Sequence, residues 1–205
     1  MKTHLFKPVL VNFLILSIVA VSCNKPIEPK TFTDSRDSKE YKYIKIGTQE
    51  WMIENFAFKA DSGCWAYDND EANVAKYGYL YTYETATNIC PDGWHLPSVE
   101  ECNVLIEYLG GQFEAFNKML VPGDEYWGMN NSDKINNRSG FSAIPAGRYM
   151  HVHNKFMEKD EFASWWTSSQ GSENDKIKQL GSNNKLIDIR NSHQLNGLSV
   201  RYIKD

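Results

Sequence analysis

The sequence predicts an α+β fold, and three observations carry that prediction. A strong helix start lies near the middle of the chain, where the Ser98 side chain can accept from the Glu101 amide while the Glu101 carboxylate reaches back to the Ser98 amide. Short runs rich in β-branched and aromatic residues lie on both sides of it, most of them after it. Helical signals that come early and strand signals that come late keep the two element types apart, as in an α+β domain.

The first residues are not part of that domain. Lys2 and Lys7 precede the largely apolar segment from Val9 to Val21, and small residues lead from there into Cys23, which is the layout of a secretory signal peptide. Asn12 interrupts the segment, which is also short of the roughly 20 residues that a membrane-spanning helix needs. Ala20-Val21-Ser22-Cys23 is similar to a bacterial lipobox, although Ala20 stands where leucine is commonest. Cys23 would then be diacylated and become the first residue after cleavage, and two or more acyl chains hold a protein stably on a membrane. Ordinary secretion with cleavage beside Cys23 is the alternative. Asn24 to Glu40 is rich in Pro, Lys, Asp, Glu, Ser and Thr and reads as a solvated tether. The expected organisation is a signal peptide over 1–22, a lipidated cysteine and tether over 23–38, and one domain over 39–205, which is long enough for a sizeable core. The chain carries a net charge of -4, and loss of Lys2 and Lys7 with the leader makes it -6, so nucleic-acid binding is disfavoured.

Within the domain, Tyr41 to Ile46, a turn at Gly47, and Trp51-Met52-Ile53 predict an opening hairpin. Tyr83 to Asn88 predicts a short helix. Pro91-Asp92-Gly93 forms a turn, and the helix capped by Ser98 runs from Val99 to Leu109 until Gly110-Gly111 stops it. Phe141 to Ala143, Gly147 to Val152, Trp165 to Ser168, Leu186 to Arg190 and Leu198 to Ile203 read as short strands between polar loops. In the last of these, Leu198, Val200 and Tyr202 alternate with Ser199 and Arg201, as in a half-buried strand.

With Cys23 lipidated, three cysteines are left in an exported chain, so at most one internal disulfide can form. Cys102 lies on the apolar stripe Val99, Cys102, Leu105, Ile106 and Leu109 and is expected to act as a small buried hydrophobe. If a bridge forms, Cys64 to Cys90 is the expected pair. The absence of a CxxC spacing leaves a zinc ribbon or thioredoxin-like site without support.

The run from Cys90 to Glu101, together with Ile46-Gly47-Thr48-Gln49-Glu50-Trp51-Met52, Tyr77-Gly78-Tyr79-Leu80-Tyr81, Gly140-Phe141-Ser142-Ala143, Trp165-Trp166-Thr167-Ser168 and the closing Ser199-Val200-Arg201-Tyr202-Ile203-Lys204-Asp205, resembles the Fibrobacter succinogenes major paralogous domain family. That family is known from exported and surface proteins, and the resemblance covers nearly all of Thr31 to Asp205. It implies a C-type lectin-like fold, in which a small twisted antiparallel sheet is flanked by two helices, the terminal strands pair, and long irregular loops supply a ligand site. Relatives often carry cysteines where this chain has Tyr202 and near Val74, so the usual partners of Cys90 and Cys64 are missing. Relatives also often have a tryptophan where this chain has Cys102.

Candidate site residues follow from chemistry. Trp127 sits among Gly123-Asp124-Glu125-Tyr126 and Gly128-Met129-Asn130-Asn131-Ser132-Asp133. An exposed indole there could cover the apolar face of a sugar while Asn130, Asn131 and Asp133 take its hydroxyls. The alternative, commoner for a large aromatic, is that Trp127 plugs the loop into the core. In Trp165-Trp166 one indole should face inward and one outward, and the outward one either supports binding, with Trp166 a second ligand-binding candidate, or fills a second loop layer. Asp68 to Glu71 lacks EF-hand spacing and reads as a solvated acidic turn. Glu173-Asn174-Asp175 lacks the tryptophan of the lectin calcium motif. His151 and His153 would share one face of a strand but have no identifiable third ligand. No Gly-x-Ser-x-Gly elbow is present.

The expectation is therefore a cell-envelope lipoprotein, lipid-anchored on the outer membrane of a Gram-negative bacterium, with a non-catalytic surface module and neither cofactor nor metal. Its expected partners are the membrane, through the acyl chains, and a polysaccharide or an envelope protein. The alternatives are a structural or adhesin-type envelope subunit and a relative of the formylglycine-generating oxidases. Those oxidases use a late cysteine pair, and here no cysteine follows Cys102.

Overall fold

A computed structural model describes residues 28–127, 134–173, 176–183 and 185–205. The leader, Cys23 and the first residues of the expected tether lie outside them, as do Asn130, Asn131 and Asp133 of the Trp127 loop. In chain order the strands are β1 (Lys30–Thr33), β2 (Glu40–Ile46), β3 (Gln49–Met52), β4 (Cys64–Trp65), β5 (Leu80–Tyr81), β6 (Trp94–His95), β7 (Ala146–Met150), β8 (Lys155–Lys159), β9 (Ser164–Gln170), β10 (Lys176–Asn183), β11 (Leu186–His193) and β12 (Ile203–Lys204). The helices are α1 (Val74–Tyr77), α2 (Tyr83–Asn88), α3 (Val99–Tyr108), α4 (Gln112–Met119) and α5 (Asp124–Trp127). The fold is α+β, built from small antiparallel sheets. The largest has the order β1-β2-β3-β12-β6, so the last strand pairs between the opening hairpin and the strand before α3, and a second has the order β11-β10-β9.

Strand alternation explains the packing. On β2, Tyr41 and Tyr43 join one apolar cluster and Ile44 and Ile46 join another. The neighbouring pairs Trp51/Met52, Trp165/Trp166 and Ile203/Tyr202 divide between the same two clusters. Because successive side chains leave a strand on opposite faces, each such pair feeds two cores. One core holds Cys102, Leu105 and Ile106 of α3 with Phe116 and Met119 of α4. The other is rich in aromatics, including Tyr41 stacked on Phe56 at 4.9 Å and Tyr202 edge-on to Phe56 at 5.0 Å.

The helix α3 begins as expected, with the complete capping box between Ser98 and Glu101. The helix α2 also spans the expected residues, with Thr82 as its cap. The helix α4 went unexpected because its cap is Gly111, which offers no side-chain acceptor, and Ala115, Phe116 and Met119 make only a short apolar stripe.

Several expected strands change character. The domain begins before Lys39: β1 pairs with β2 from Lys30↔Tyr43 to Thr33↔Glu40, so the expected tether is shorter than 23–38. Asp34, buried just after β1, holds Arg36 through two side-chain hydrogen bonds, and Arg36 donates to the Ile89 carbonyl at 2.9 Å. Phe141 to Ala143 forms no strand and meets Leu120 through a single parallel bridge. The segment from Leu198 to Tyr202 bonds to Tyr81, Trp166, Phe56 and Met52 in turn, so it stitches elements together where a single ladder was expected. Both its alternating sets are buried, Ser199 and Arg201 included, which corrects the half-buried expectation. β7 ends at Met150, and His151–His153 is a 3-10 turn, so these two histidines do not share a strand face.

Candidate functional site

A polar cleft of about 340 Å³ opens where the start of β2, the segment after β3, α1 and the residues beside Phe141 converge. Asn55 and Arg201 organise it. Asn55 is buried, and its amide donates to the Tyr77 carbonyl at 2.9 Å. Its Oδ1 accepts from Trp165 Nε1 and from Arg201 Nε, both at 2.9 Å. The Arg201 guanidinium also donates to the Phe141 carbonyl and, at 2.7 Å, to the Ser142 carbonyl. Its Cζ lies 4.5 Å from the Phe141 ring centroid and 5.4 Å from that of Trp165. Every hydrogen-bond partner of this cation is neutral, and Arg201 is only 1% exposed. Burial accordingly pushes its pKa down to about 9, against a small opposing effect from Glu54.

Around this floor the walls carry Glu40, Glu54, Lys39 and Lys76. Gly78 lets α1 close against the cleft: it has φ +73°, and a Cβ there would stand 2.6 Å from the Phe56 carbonyl oxygen. Lys76 stands 4.5 Å over the Tyr126 ring, which connects the cleft to the loop that begins at Gly123. The cleft can offer donors and acceptors of both charges to a hydroxyl-rich ligand. Among the described residues, its lining holds no imidazole and no thiol. The Ser142 hydroxyl donates to the Gly140 carbonyl and accepts from Asn137, so no base addresses it.

The structure removes both aromatic candidates as ligand platforms and, for Trp127, takes the core alternative. Trp127 is 1% exposed, packs near Phe116 in the α3/α4 core, and donates from Nε1 to the Val121 carbonyl at 2.8 Å. Trp166 is fully buried and donates to the Tyr81 carbonyl at 2.7 Å. Neither indole face is open to a sugar. The outward face expected for Trp166 meets a second core, because β9 is covered on both sides.

Cys64 and Cys90 are unbridged half-buried thiols, and Cys102 is a buried one, so the expected Cys64–Cys90 disulfide is not formed. The Cys90 thiol donates to the Trp94 carbonyl at 2.9 Å, inside the turn it closes. Burial pushes the Cys64 thiol up to about 11 and the Cys90 thiol up to about 12, so neither is poised as a nucleophile. Among the described residues, no group of three or more His, Cys, Asp or Glu side chains is placed to hold a metal ion.

His95 makes a second constellation. Its Nδ1 faces Asp205 at 2.6 Å and its Nε2 faces Glu101 at 2.9 Å. Burial alone would lower the imidazole pKa, but the hydrogen bonds to the two carboxylates outweigh it and raise the pKa above the ordinary value. The Ser98 hydroxyl donates to Glu101 and not to His95. Both ring nitrogens are occupied, so this arrangement fastens the closing strand to the start of α3 and does not activate a nucleophile.

An exposed aromatic in a cleft does exist, at Tyr108. It went unnoticed because it lies off the apolar stripe of α3. That position was itself the available signal, since an aromatic outside a core stripe has to face something else.

The sequence profile of the Fibrobacter succinogenes major domain matches residues 44–204. No curated protein matches the chain, and no solved structure does. The profile spans one cluster whole and the other except Tyr41 and Tyr43, along with the Cys90–Glu101 run, Arg201 and β12, and the chain belongs to the Fibrobacter succinogenes major domain family.

Proposed function

We propose that the protein is a lipid-anchored envelope protein whose domain, of C-type lectin-like type, binds a hydroxyl-rich surface ligand, a glycan, in the Asn55–Arg201 cleft without turning it over. The anchor is Cys23, and the location is the outer membrane of a Gram-negative bacterium. The observation that carries the binding reading is the cleft itself, which gathers charged and amide groups of both signs on a floor held rigid by Asn55, Arg201 and Trp165. A few fixed polar groups in a concave site are what orient a small polar ligand. The fold assignment is supported by the sheet order β1-β2-β3-β12-β6, which sets the last strand beside the opening hairpin.

The test is a polysaccharide panel offered to the full chain in detergent, in calcium and in chelator, with Lys76→Ala and Glu54→Gln as controls. Binding that both variants weaken and that chelator leaves unchanged is the expected result. No binding under either condition overturns the glycan reading in favour of an envelope subunit that contacts protein. Cys23→Ala that still incorporates labelled fatty acid overturns the anchor.

A further inference from the structure

A different face of the molecule holds a smaller cleft, about 240 Å³, between β2, the end of α3 and α4. Its floor is apolar, made by Ile46 and Leu109, both buried in the α3/α4 core. Its wall is Tyr108, which is 65% exposed. The ring is seated on the β2–β3 turn: Gly47 has φ +62°, and a Cβ there would lie 3.0 Å from Tyr108 Cγ. The absence of a side chain at 47 thus lets the backbone support the aromatic ring, leaving most of the residue open to solvent.

Three cations line the cleft with this ring: Lys45, Lys118 and Arg138. Lys118 is positioned by the Leu109 carbonyl at 2.7 Å, with Glu114 no closer than 4.0 Å. Lys45 and Arg138 are exposed, and no carboxylate of the described residues pairs with either. The chain as a whole carries a net charge of -4, so this cleft reverses the overall sign.

We propose that this cleft is a second binding site, specific for an acidic polysaccharide: Tyr108 covers the apolar face of one pyranose, and Lys45, Lys118 and Arg138 pair with its carboxylate or sulfate. The ring supplies contact area on the sugar face, and the three cations supply the charge selectivity that a neutral glycan cannot exploit. A flat anionic membrane would use the cations but not a walled aromatic recess, and the acidic chain disfavours nucleic acid. This site is separate from the Asn55–Arg201 cleft and does not require that cleft to bind anything.

The experiment is titration of the full chain in neutral detergent with polygalacturonate, dextran sulfate, unmodified dextran and anionic phospholipid vesicles, at low salt and again at about 0.3 M salt, where surface charges are largely screened. The probes are Tyr108→Ala and the pair Lys45→Glu with Arg138→Glu, each made in a Lys76→Ala, Glu54→Gln background that weakens the other cleft, with circular dichroism to verify folding. Expected in that background is binding to polygalacturonate, to dextran sulfate or to both, weakened by salt, weakened about tenfold or more by Tyr108→Ala, and abolished by the double charge reversal. The acid that binds identifies the anionic group. In that background, equal binding of dextran, binding of vesicles alone, or acidic-polymer binding that survives the charge reversal overturns the proposal.

Discussion

Replacing Trp127 with alanine separates an anchor from a ligand platform. An indole of this kind buries on the order of 150–250 Å², worth roughly 4–6 kcal/mol at about 25 cal/mol per Å² as an upper bound. Measured truncations of core aromatics cost about 3–5 kcal/mol, and Trp127 has core surroundings, at 1% exposure and within 6.4 Å of the Phe116 ring. Trp127→Phe keeps most of the packing but loses the Nε1–H donor to Val121, a partly buried contact, and an orphaned carbonyl costs up to about 1–3 kcal/mol. The expected order is therefore a loss of about 3–5 kcal/mol for alanine and about 1–3 for phenylalanine. In a domain of this size the alanine loss lowers Tm by about 6–20 °C. Equilibrium unfolding in guanidinium, followed by far-UV circular dichroism, measures both. An alanine variant that loses less than about 1 kcal/mol and also fails to bind polysaccharide would refute the anchor and restore the indole as a platform.

Three further outcomes follow from the geometry. The His95 pKa is raised in the folded state, so its contribution to stability is full below the ordinary value of 6.5 and fades as pH rises through the folded value. The Glu101 pKa is lowered despite burial, by bonds to Ser98 and His95, so its contribution holds above 4.5 and fades as pH falls through the folded value. Stability from this clamp should peak between those two limits, and His95→Gln should remove the alkaline decline; a Tm–pH curve identical to wild type would disprove the clamp. Arg201→Lys keeps the charge but cannot span Asn55, Phe141 and Ser142 with one ammonium. It should cost about 2–6 kcal/mol from two orphaned carbonyls, and an unfolding midpoint matching wild type would contradict that accounting. Cys64, Cys90 and Cys102 should alkylate slowly at pH 7.5 until denaturant is added, and a Cys64–Cys90 peptide in a non-reducing digest would show the thiol assignment to be wrong.

What was legible in the sequence is what depends on near neighbours. The Ser98–Glu101 capping box sets the start of α3, Thr82 caps α2, and Gly47 turns the opening hairpin. Each involves groups at most four residues apart, so residue identity is enough to specify it. The motifs that carry the family resemblance are equally local, and the profile match confirms the family from them. The sequence could not tell whether a strand face meets water or a second core. Trp165 and Trp166 alternate as a strand requires, but each side of β9 is covered by residues distant in the chain. The same limit hid the Asn55–Arg201 pair, separated by 146 positions, and the His95–Asp205 contact, separated by 110. Burial and pairing are sums over long-range contacts, which only the tertiary arrangement of the sheets decides. That arrangement buries Trp127 and Trp166 and leaves Tyr108 open.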